Sequence, residues 1–407
     1  MPRDLIYQTL GVSNIQDFEQ QSTIRQDGKI IISLKMKRNA ICCPQCQKNE
    51  LVVRGWTQRH LAAPPIACKA VQLQVEVPRV KCKHCPGIKH AHLPFAETRK
   101  QHTRSFARYV VELRKSMTIC DLARHLGVSE WMIRNIEKEY LKRHFEKPRL
   151  KDVRMIAIDE ICIGSGHRYL TIVIDLQTGA VLHVGDGKGA DALKPFWRRL
   201  NSSRAQVEAV AIDMSPAFFS AVINNLPEAA IVFDHFHVIK LFNDKLSKLR
   251  RALFNEATDK LHENILKGTR WLLLKNPENL NEEKEEQKRL QRALELNKPL
   301  ATAYYMKEEL RQLWNQSSKK EAERFLESWC SRAESSGIKM LQQFAKTMRN
   351  SRTGLLNWYD YPISTGPLEG TNNKIKTMKR QAYGYRDKEY FRLKLFALHL
   401  SKYKLIG

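Results

Sequence analysis

Two aspartates stand where hydrophobic segments of this sequence end, and their placement indicates metal-binding chemistry. Asp159 closes the run Met-Ile-Ala-Ile, and Asp213 closes the run Val-Ala-Ile. A carboxylate at the end of a buried strand is costly unless it is paired or binds a cation. Hard oxygen ligands of this kind suit Mg²⁺ or Mn²⁺. The repeated ending therefore predicts that both side chains share a divalent cation at one edge of a sheet.

A third carboxylate, Glu369, lies near the start of a predicted helix. In the segment Ser-Thr-Gly-Pro-Leu-Glu369, Thr365 is a candidate N-cap and Pro367 suits the first turn. Asn372 follows at i+3, on the face of Glu369. By itself, Glu369 could equally be a carboxylate that interacts favourably with the helix dipole. The same helix continues with residues that we expect to bind nucleic acid: Asn373, Lys376, Lys379 and Arg380.

Three carboxylates can hold two divalent cations about 3.5–4 Å apart. One cation helps to deprotonate water or a 3′-hydroxyl, and the other stabilises the leaving oxygen of an in-line displacement at phosphate. Other acids are weaker candidates for this role. Glu160 is predicted to point to the opposite side of its strand, and Asp175 and Asp186 are predicted to make local hydrogen bonds in turns.

Two Cys-x-x-Cys motifs supply a different set of ligands. Cys43 and Cys46 form the first motif, Cys82 and Cys85 form the second, and four thiolates are the tetrahedral set that a structural Zn²⁺ requires. Such a site has no open position for catalysis, so we expect zinc to stabilise a small β unit. Four buried free thiols are the alternative. Other residues that could enter the ligand set are Cys42, His84, His90 and His92.

The elements that must position these residues can be predicted from hydrophobic patterns. Alternating runs at 32–36 and 71–77 indicate strands, and 96–150 is basic and helical. Predicted helices at 191–200 and 216–225 separate the later members of a second group of strands. That order of strands and helices matches a ribonuclease-H-like fold. The second group consists of Met155–Ile158, Leu170–Ile174, Ala180–Val184, Ala209–Ile212 and Ala230–Phe233.

We therefore predict a multidomain protein with a zinc-ribbon-like β unit at 1–95 and a helix-turn-helix DNA-binding domain at 96–150. A ribonuclease-H-like α/β catalytic core follows in two parts, 151–238 and 361–407, and the second part is the basic helix with Glu369. Between them, 239–360 loses the strand signal and is predicted to be an all-helical insertion. Its core anchors are predicted to be Trp271, Trp314, Trp329 and Trp358.

The charge of the chain favours a polyanionic partner. Its 407 residues include 69 Lys and Arg against 43 Asp and Glu, which gives a net charge of +26. Nucleic acid is favoured over an anionic membrane surface. We expect no membrane-spanning segment because no run of about 18 apolar residues occurs. The first residues lack the order of a secretory signal, so we expect a reducing, intracellular environment in which cysteines are thiols or metal ligands.

A helix-turn-helix is predicted near 118–140. Thr118 begins the first helix with a pattern like a capping box, Gly127 permits a sharp turn, and Ser129 is a candidate N-cap of the second helix. An ordinary helical hairpin is the alternative, but the dense basic charge around the motif favours DNA binding. Three residues of the second helix are expected to face the major groove: Arg134, Asn135 and Lys138.

The chain resembles the bacterial transposases of the ISL-three insertion-sequence family over nearly its whole length. The resemblance includes the two cysteine motifs and the helix-turn-helix. The other matching motifs are Ala-Ile-Asp159-Glu, Ile-Asp213-Met-Ser-Pro, Phe-Asp234-His-Phe-His237-Val, Leu-Leu-Leu-Lys-Asn-Pro277-Glu-Asn, Glu369-Gly-Thr-Asn-Asn-Lys-Ile-Lys and Gly384-Tyr-Arg386.

The resemblance implies a DDE transposase with the catalytic triad Asp159, Asp213 and Glu369. It implies binding to the terminal inverted repeats of an insertion sequence, metal-dependent cleavage of double-stranded DNA, and strand transfer into a target. His237 is expected either to assist catalysis near the scissile phosphate or to order the end of the fifth strand. Synapsis of paired ends predicts a homodimer, and the protein is expected to be bacterial, cytoplasmic and nucleoid-associated.

Two other functions compete with this interpretation. A DNA-binding regulator descended from such an enzyme would use only the zinc and helix-turn-helix modules. It has no need of clustered metal-binding acids, which the sequence retains. A ribonuclease-H-like nuclease without strand transfer has no need of N-terminal modules that read a DNA sequence. Both are therefore less favoured than an active transposase.

Overall fold

The structure is a computed structural model that describes residues 3–12, 14–164, 168–256 and 269–399. It contains two compact units: unit 1, whose described residues end at Glu146, and unit 2, Lys147–His399. None of the helices in these ranges has the length and the apolar composition needed to cross a lipid bilayer.

Unit 1 is built on a five-stranded sheet, and two of its strands cover the alternating runs expected at 32–36 and 71–77. The sheet order is β1-β2-β4-β3, and β5 pairs with β4. One face is buried because every second residue of β2 and β4 is apolar, as at Leu34, Leu73 and Val75, which have no exposed surface. The strands are β1 (Phe18–Gln26), β2 (Lys29–Met36), β3 (Leu51–Ile66), β4 (Lys69–Cys82) and β5 (Ile88–His90).

The helices of unit 1 include the expected helix-turn-helix. The side chain of Thr118 accepts a hydrogen bond from Asp121 N, and that of Ser129 accepts one from Met132 N, so both predicted N-caps are confirmed. Gly127 ends the first helix at φ 64°, a left-handed conformation that favours glycine. The helices are α1 (Arg3–Thr9), α2 (Arg104–Leu113), α3 (Ile119–Leu126) and α4 (Glu130–Phe145).

Unit 2 contains the second sheet, and all five predicted strands are present in it. The sheet order is β10-β9-β6-β7-β8. β6 pairs in parallel with β9 and β9 with β10, whereas β7 is antiparallel to both β6 and β8. This order and direction confirm the ribonuclease-H-like fold. The strands are β6 (Met155–Gly164), β7 (Arg168–Asp175), β8 (Val181–Asp186), β9 (Ala209–Ile212) and β10 (Ala230–Phe233).

The helices of unit 2 surround this sheet and continue beyond it. Between β10 and residue 360, the described residues form helices, 3₁₀ turns and loops but no strand. The helices are α5 (Lys194–Ser203), α6 (Pro216–Asn225), α7 (His235–Glu256), α8 (Arg270–Leu274), α9 (Glu286–Leu296), α10 (Lys298–Leu310), α11 (Lys319–Ser335), α12 (Lys339–Asn350), α13 (Arg352–Leu356), α14 (Gly366–Gln381) and α15 (Lys388–Phe396).

The tryptophans of the helical region differ in burial. Trp329 has no exposed surface, Trp314 is buried, and Trp358 packs against the same core. The prediction that Trp271 is a core anchor is wrong, since its side chain is 65% exposed. The short helix α8 buries the leucines that follow Trp271, and Arg270 lies over the indole ring at 4.8 Å.

Candidate active site

Three aspartates lie side by side at one edge of the unit 2 sheet. In the parallel pairing of β6 with β9, position 157 lies opposite 211, which brings Asp159 level with Asp213. In the pairing of β9 with β10, position 212 lies opposite 233, which brings Asp234 level with Asp213. Neighbouring strands are about 4.8 Å apart. Asp213 and Asp234 directly follow β9 and β10, whereas Asp159 lies in the middle of β6, which continues to Gly164, so the expectation that Asp159 ends its strand is corrected. The strand register nevertheless places the three carboxylates next to one another on three adjacent strands.

Asp159 is tied to the helix that carries Glu369. Its Oδ2 accepts a hydrogen bond from Asn372 Nδ2 at 3.0 Å, and its Oδ1 accepts one from Glu160 N at 2.7 Å. Burial raises the pKa of Asp159 and the charge of Asp213 raises it further, against the effect of these hydrogen bonds. Asn372, which the sequence placed only on the face of Glu369, is thus a direct partner of the first aspartate.

Asp234 plays a different part from the other two aspartates. It is 2% exposed, and its Oδ2 accepts hydrogen bonds from Thr365 Oγ1 at 2.6 Å and from His237 Nδ1 at 3.0 Å. Burial disfavours the carboxylate, but these bonds outweigh it and lower the pKa of Asp234. The hydroxyl of Thr365 is therefore used for Asp234 and does not cap α14, which corrects the expected N-cap.

Glu369 lies between these two attachments of α14. Thr365, just before the helix, is fixed to Asp234, and Asn372 is fixed to Asp159. Glu369 itself is exposed. Among the described residues, the three acids of the expected triad do not bring one oxygen each within 4.8 Å of one another. Glu369 thus lies one helical turn before the residue that contacts Asp159, on an exposed part of α14.

The competing acids differ in their surroundings. Asp175 accepts hydrogen bonds from the backbone N–H groups of Gln177 and Thr178, both at 3.2 Å, which is the turn chemistry expected of it. Glu160 Oε1 accepts one from Gly189 N at 2.9 Å. Asp186 is exposed at the end of β8.

The donor set at the sheet edge fits a divalent cation such as Mg²⁺ or Mn²⁺. Asp159 and Asp213 are neighbouring carboxylates, and a partly buried pair of like charges is stabilised by a cation between them. Asn372 Oδ1 is buried and has no hydrogen-bond partner among the described residues, so it is a further oxygen donor at the same place. Glu369 is the residue on the adjoining helix that could complete the set.

The cysteine motifs of unit 1 form a second candidate metal centre. One sulfur each from Cys43, Cys46, Cys82 and Cys85 lies within 4.8 Å of all the others, which fits tetrahedral Zn²⁺. Backbone N–H groups of Cys46 and Gln45 point at the sulfur of Cys43 and lower the pKa of this thiol to about 6. Cys42 lies outside the cluster, and its Sγ donates to Gln47 Oε1 at 3.3 Å.

The expected DNA-contacting residues lie on two helices. On α4, Arg134, Asn135 and Lys138 are partly exposed, and Trp131 is 68% exposed one turn earlier. Trp131 is a further candidate that was not predicted from the sequence, although its position just after the N-cap of the second helix marks it. On α14, the exposed candidates are Asn373, Lys376 and Arg380, whereas Lys379 is partly buried and donates to the carbonyl of Ile163.

The protonation of His237 should make the stability of the protein depend measurably on pH. The hydrogen bond with Asp234 raises the pKa of His237, and the charges of Asp159 and Asp213 raise it further. A histidine with a raised folded pKa stabilises the fold fully below its unfolded pKa, about 6.5, and this contribution is lost as pH rises through the folded pKa. We therefore expect His237→Gln, in metal-free buffer, to lower the melting temperature more at acidic than at alkaline pH.

His183 offers a matched control for this measurement. It is 2% exposed, its Nε2 donates to Ala192 O at 2.8 Å, and burial lowers its pKa. Its contribution therefore has the opposite sign of pH dependence and is lost as pH falls. Calorimetry of His183→Gln and His237→Gln across pH should give opposite slopes, and parallel slopes would contradict the pairing of His237 with Asp234.

Comparisons with known proteins agree with this architecture. A family model described as a transposase matches residues 156–395. The helix-turn-helix domain of transposase family ISL3 matches residues 91–141, and the zinc finger of the IS204, IS1001, IS1096 and IS1165 transposases matches 39–85.

Individual relatives match most of the chain. It is 33% identical over 369 residues to the transposase for insertion sequence element IS1001 of Bordetella parapertussis, with 90% of both proteins covered. It is 27% identical over 402 residues to the transposase for insertion sequence element IS1557 of Mycobacterium tuberculosis, with 91% of this chain and 89% of the relative covered. A Drosophila P element transposase strand transfer complex aligns with a TM-score of 0.39 at 10% identity, covering 75% of this chain and 93% of that chain.

The ribonuclease-H-like sheet with aspartates at its edge, together with these matches, defines a transposase of the DDE type. The chain belongs to the ISL3 family of transposases. The resemblance and the fold class expected from the sequence are thereby confirmed. The family implies DNA cleavage and strand transfer, a structural zinc in unit 1 and contact with DNA.

Proposed function

We propose that this transposase binds the terminal inverted repeats of an insertion sequence and cleaves and joins DNA with Mg²⁺ through Asp159, Asp213 and Glu369. The strand register that brings Asp159 and Asp213 level at the sheet edge is the observation that carries the proposal. The attachment of α14 on both sides of Glu369 supports the third member. Two ends must be held together for transposition, so we propose a homodimer as the active species.

Each residue of the site then has a defined task. Asp159, Asp213 and Glu369 hold the metal, which when bound supplies Lewis-acid stabilisation of the attacking and leaving oxygens. Asn372 orients the Asp159 carboxylate, and Asp234 orients His237. The hydrogen bond with Asp234 raises the pKa of His237 and so favours its protonated form, which we propose contacts the scissile phosphate. Asn373, Lys376 and Arg380 bind the DNA backbone along α14, whereas Lys379 fixes this helix to the carbonyl of Ile163.

A labelled duplex carrying the sequence from one end of the gene's flanking region tests the proposal. Purified protein with Mg²⁺ should cut this duplex at a fixed position and join its 3′ end to a target, whereas EDTA should stop both reactions. A shuffled duplex of equal length is the control for end recognition. Cutting of both duplexes alike would contradict binding to inverted repeats, and cutting in EDTA would contradict the metal requirement.

The helix-turn-helix should supply the sequence specificity. Arg134 is on the exposed side of α4, and we expect Arg134→Ala to weaken binding to the end duplex by about 1–3 kcal/mol, with less loss for the shuffled duplex. Arg143 is the matched control, because nine residues further along α4 correspond to the opposite face. Its side chain is exposed and pairs with Glu97. Equal losses for both variants in fluorescence anisotropy would exclude a reading role for Arg134.

A further inference from the structure

The turn after α14 holds an aromatic side chain that packs against none of the residues that the structure describes. Tyr383 is 100% exposed, and its φ of 50° lies in the left-handed region. Within the described ranges it is the only aromatic residue with a positive φ. A bulky residue in this conformation is strained, and strain of this kind is often associated with function.

The hydrogen bonds of the turn show why the conformation is imposed. Tyr383 N donates to Arg380 O and Gly384 N donates to Lys379 O, both at 3.0 Å. This pair of bonds is a Schellman motif, and Tyr383 occupies the position that glycine usually takes. A tyrosine here brings a conformational cost that a glycine would avoid, and full exposure means that the ring gains no packing within the described part of the chain.

The neighbouring aromatic residue shows that exposure is not general in this turn. Tyr385 packs its ring against Phe391 with centroids 4.8 Å apart, and it also contacts Tyr390 at 6.0 Å. The turn is therefore anchored to α15 by Tyr385, while α14 is anchored near its end by Lys379, which donates to the carbonyl of Ile163. Tyr383 projects from a fixed backbone, so its direction is defined before any partner binds.

The sequence on both sides of Tyr383 is strongly basic. Asp387 is the nearest acid along the chain, and its side chain is used as the N-cap of α15, where it accepts a hydrogen bond from Tyr390 N. A basic surface with a projecting aromatic ring is the arrangement that stacks on nucleic-acid bases while cations hold the backbone. The basic residues on the two sides of the turn are Lys376, Lys379, Arg380, Arg386 and Lys388.

The distance from the sheet edge is set by the helix. Asn372 contacts Asp159, and Tyr383 follows Asn372 by eleven residues, which at the rise of an α-helix is roughly 16 Å. Because a DNA strand rises by about 3.4 Å per nucleotide, this distance corresponds to about five nucleotides of a bound strand. A strand that runs along the basic face of α14 from the carboxylates therefore reaches Tyr383.

We propose that Tyr383 stacks on an unpaired or unstacked base of the bound DNA, about five nucleotides from the phosphate at the carboxylates. The proposal rests on the proposed function, since it places DNA along α14. It assigns to Tyr383 a positioning role: the ring fixes the register of the strand, and the metal-binding residues act on a phosphate at a set distance from it.

Two substitutions separate stacking from folding. Tyr383→Gly removes the ring and relieves the strained backbone, so we expect an unchanged or higher melting temperature with strand transfer reduced roughly 5- to 100-fold. Tyr383→Phe keeps the ring and should retain strand transfer close to that of the wild type. Tyr305→Ala is the control for loss of an exposed tyrosine, because Tyr305 is 55% exposed on α10 beside Glu308 and Glu309.

The stacked base can be located with 2-aminopurine placed at successive positions of the end duplex. The wild type and Tyr383→Phe should change the fluorescence at one position about five nucleotides from the cleavage site, and Tyr383→Gly should not. The same signals should appear in Asp213→Asn, which we expect to bind DNA without cleaving it. This variant keeps the stacking test independent of the catalytic proposal.

The outcomes distinguish the two proposals. If the wild type cleaves DNA and Tyr383→Gly gives the same fluorescence and the same strand transfer, stacking by Tyr383 is overturned and the catalytic proposal stands. If Tyr383→Gly instead changes the oligomeric state in light scattering and leaves the fluorescence unaltered, the ring contacts a second copy of the chain and base stacking is again overturned. If no cleavage occurs but the ring-dependent signal is present, the catalytic proposal fails and the stacking proposal stands.

Discussion

Asp213→Asn should reduce DNA cleavage by the transposase on the order of 10³-fold or more, equivalent to about 4 kcal/mol of lost transition-state stabilisation. Asp213 follows β9, level with Asp159 on β6, and its Oδ1 accepts one hydrogen bond from Ser215 N at 3.0 Å. The amide oxygen of asparagine is neutral, so it binds a divalent cation more weakly than the charged carboxylate that it replaces. Gel analysis of a labelled end duplex with Mg²⁺ measures the loss.

The same substitution should leave binding of the end duplex intact. It is nearly isosteric, and removal of a negative charge at a DNA-facing edge does not weaken attraction to phosphate. Asp186→Asn is the matched control, since Asp186 is also an aspartate at a strand end of the same sheet but is exposed in a glycine-rich turn. Normal cleavage by Asp213→Asn would show that the carboxylate of Asp213 is not needed for catalysis. An equal loss of cleavage in Asp186→Asn would show that the effect is not specific to Asp213.

The sheet was predictable because its strands are marked by local patterns. Buried strands such as β9 are continuous apolar runs, and an aspartate directly after such a run is visible without a structure. The level placement of Asp159 and Asp213 was not visible, because it depends on the pairing of strands that are distant in the chain. Sequence alternation gives the face of a residue but does not give the register between two separate strands.

The attachments of α14 could not be derived from the sequence for a similar reason. Thr365 has the residue type and position of an N-cap, yet its hydroxyl bonds to Asp234, which is distant in sequence. Asn372 likewise reads as one more polar residue on a helix face, although it is buried against Asp159. Tertiary partners of this kind override local capping preferences. The burial of Trp271 was predicted wrongly because the presence of a tryptophan does not show which side of a five-residue helix packs against the core.

Cys43→Ser should empty the zinc site and lower the melting temperature of unit 1 by more than about 10 °C. The four sulfurs are already within 4.8 Å of one another, and Cys46 Sγ lies 3.6 Å from Cys82 Sγ. Zinc therefore joins the loop before β3 to the end of β4, two segments separated by a long hairpin. A serine oxygen is a poor substitute for a thiolate in a site of this kind.

Loss of zinc should also disturb the DNA-binding helices of unit 1, because Arg59 links the β3–β4 hairpin to the segment that precedes them. Arg59 on β3 donates from Nη2 to the carbonyls of Glu97 and Lys100, which lie in the segment leading to α2. Distortion of the β3–β4 hairpin therefore disturbs the base on which the helix-turn-helix packs. We expect Cys43→Ser to weaken binding of the end duplex as well as lower stability, although none of the four cysteines of the zinc site belongs to the hydrophobic core of the helix-turn-helix.

The adjacent residue Cys42 provides a matched control for this experiment. Cys42 differs from Cys43 by one position, but its sulfur bonds to Gln47 and lies outside the cluster. Cys42→Ser should therefore retain one zinc per chain by elemental analysis, with an unchanged melting temperature, whereas Cys43→Ser should retain none. If Cys42→Ser instead loses zinc and Cys43→Ser retains it, the ligand in the folded protein is Cys42 and not Cys43. Retention of zinc by both variants would show that a second donor, either Cys42 or a histidine, replaces the Cys43 thiolate, because a tetrahedral site needs four donors.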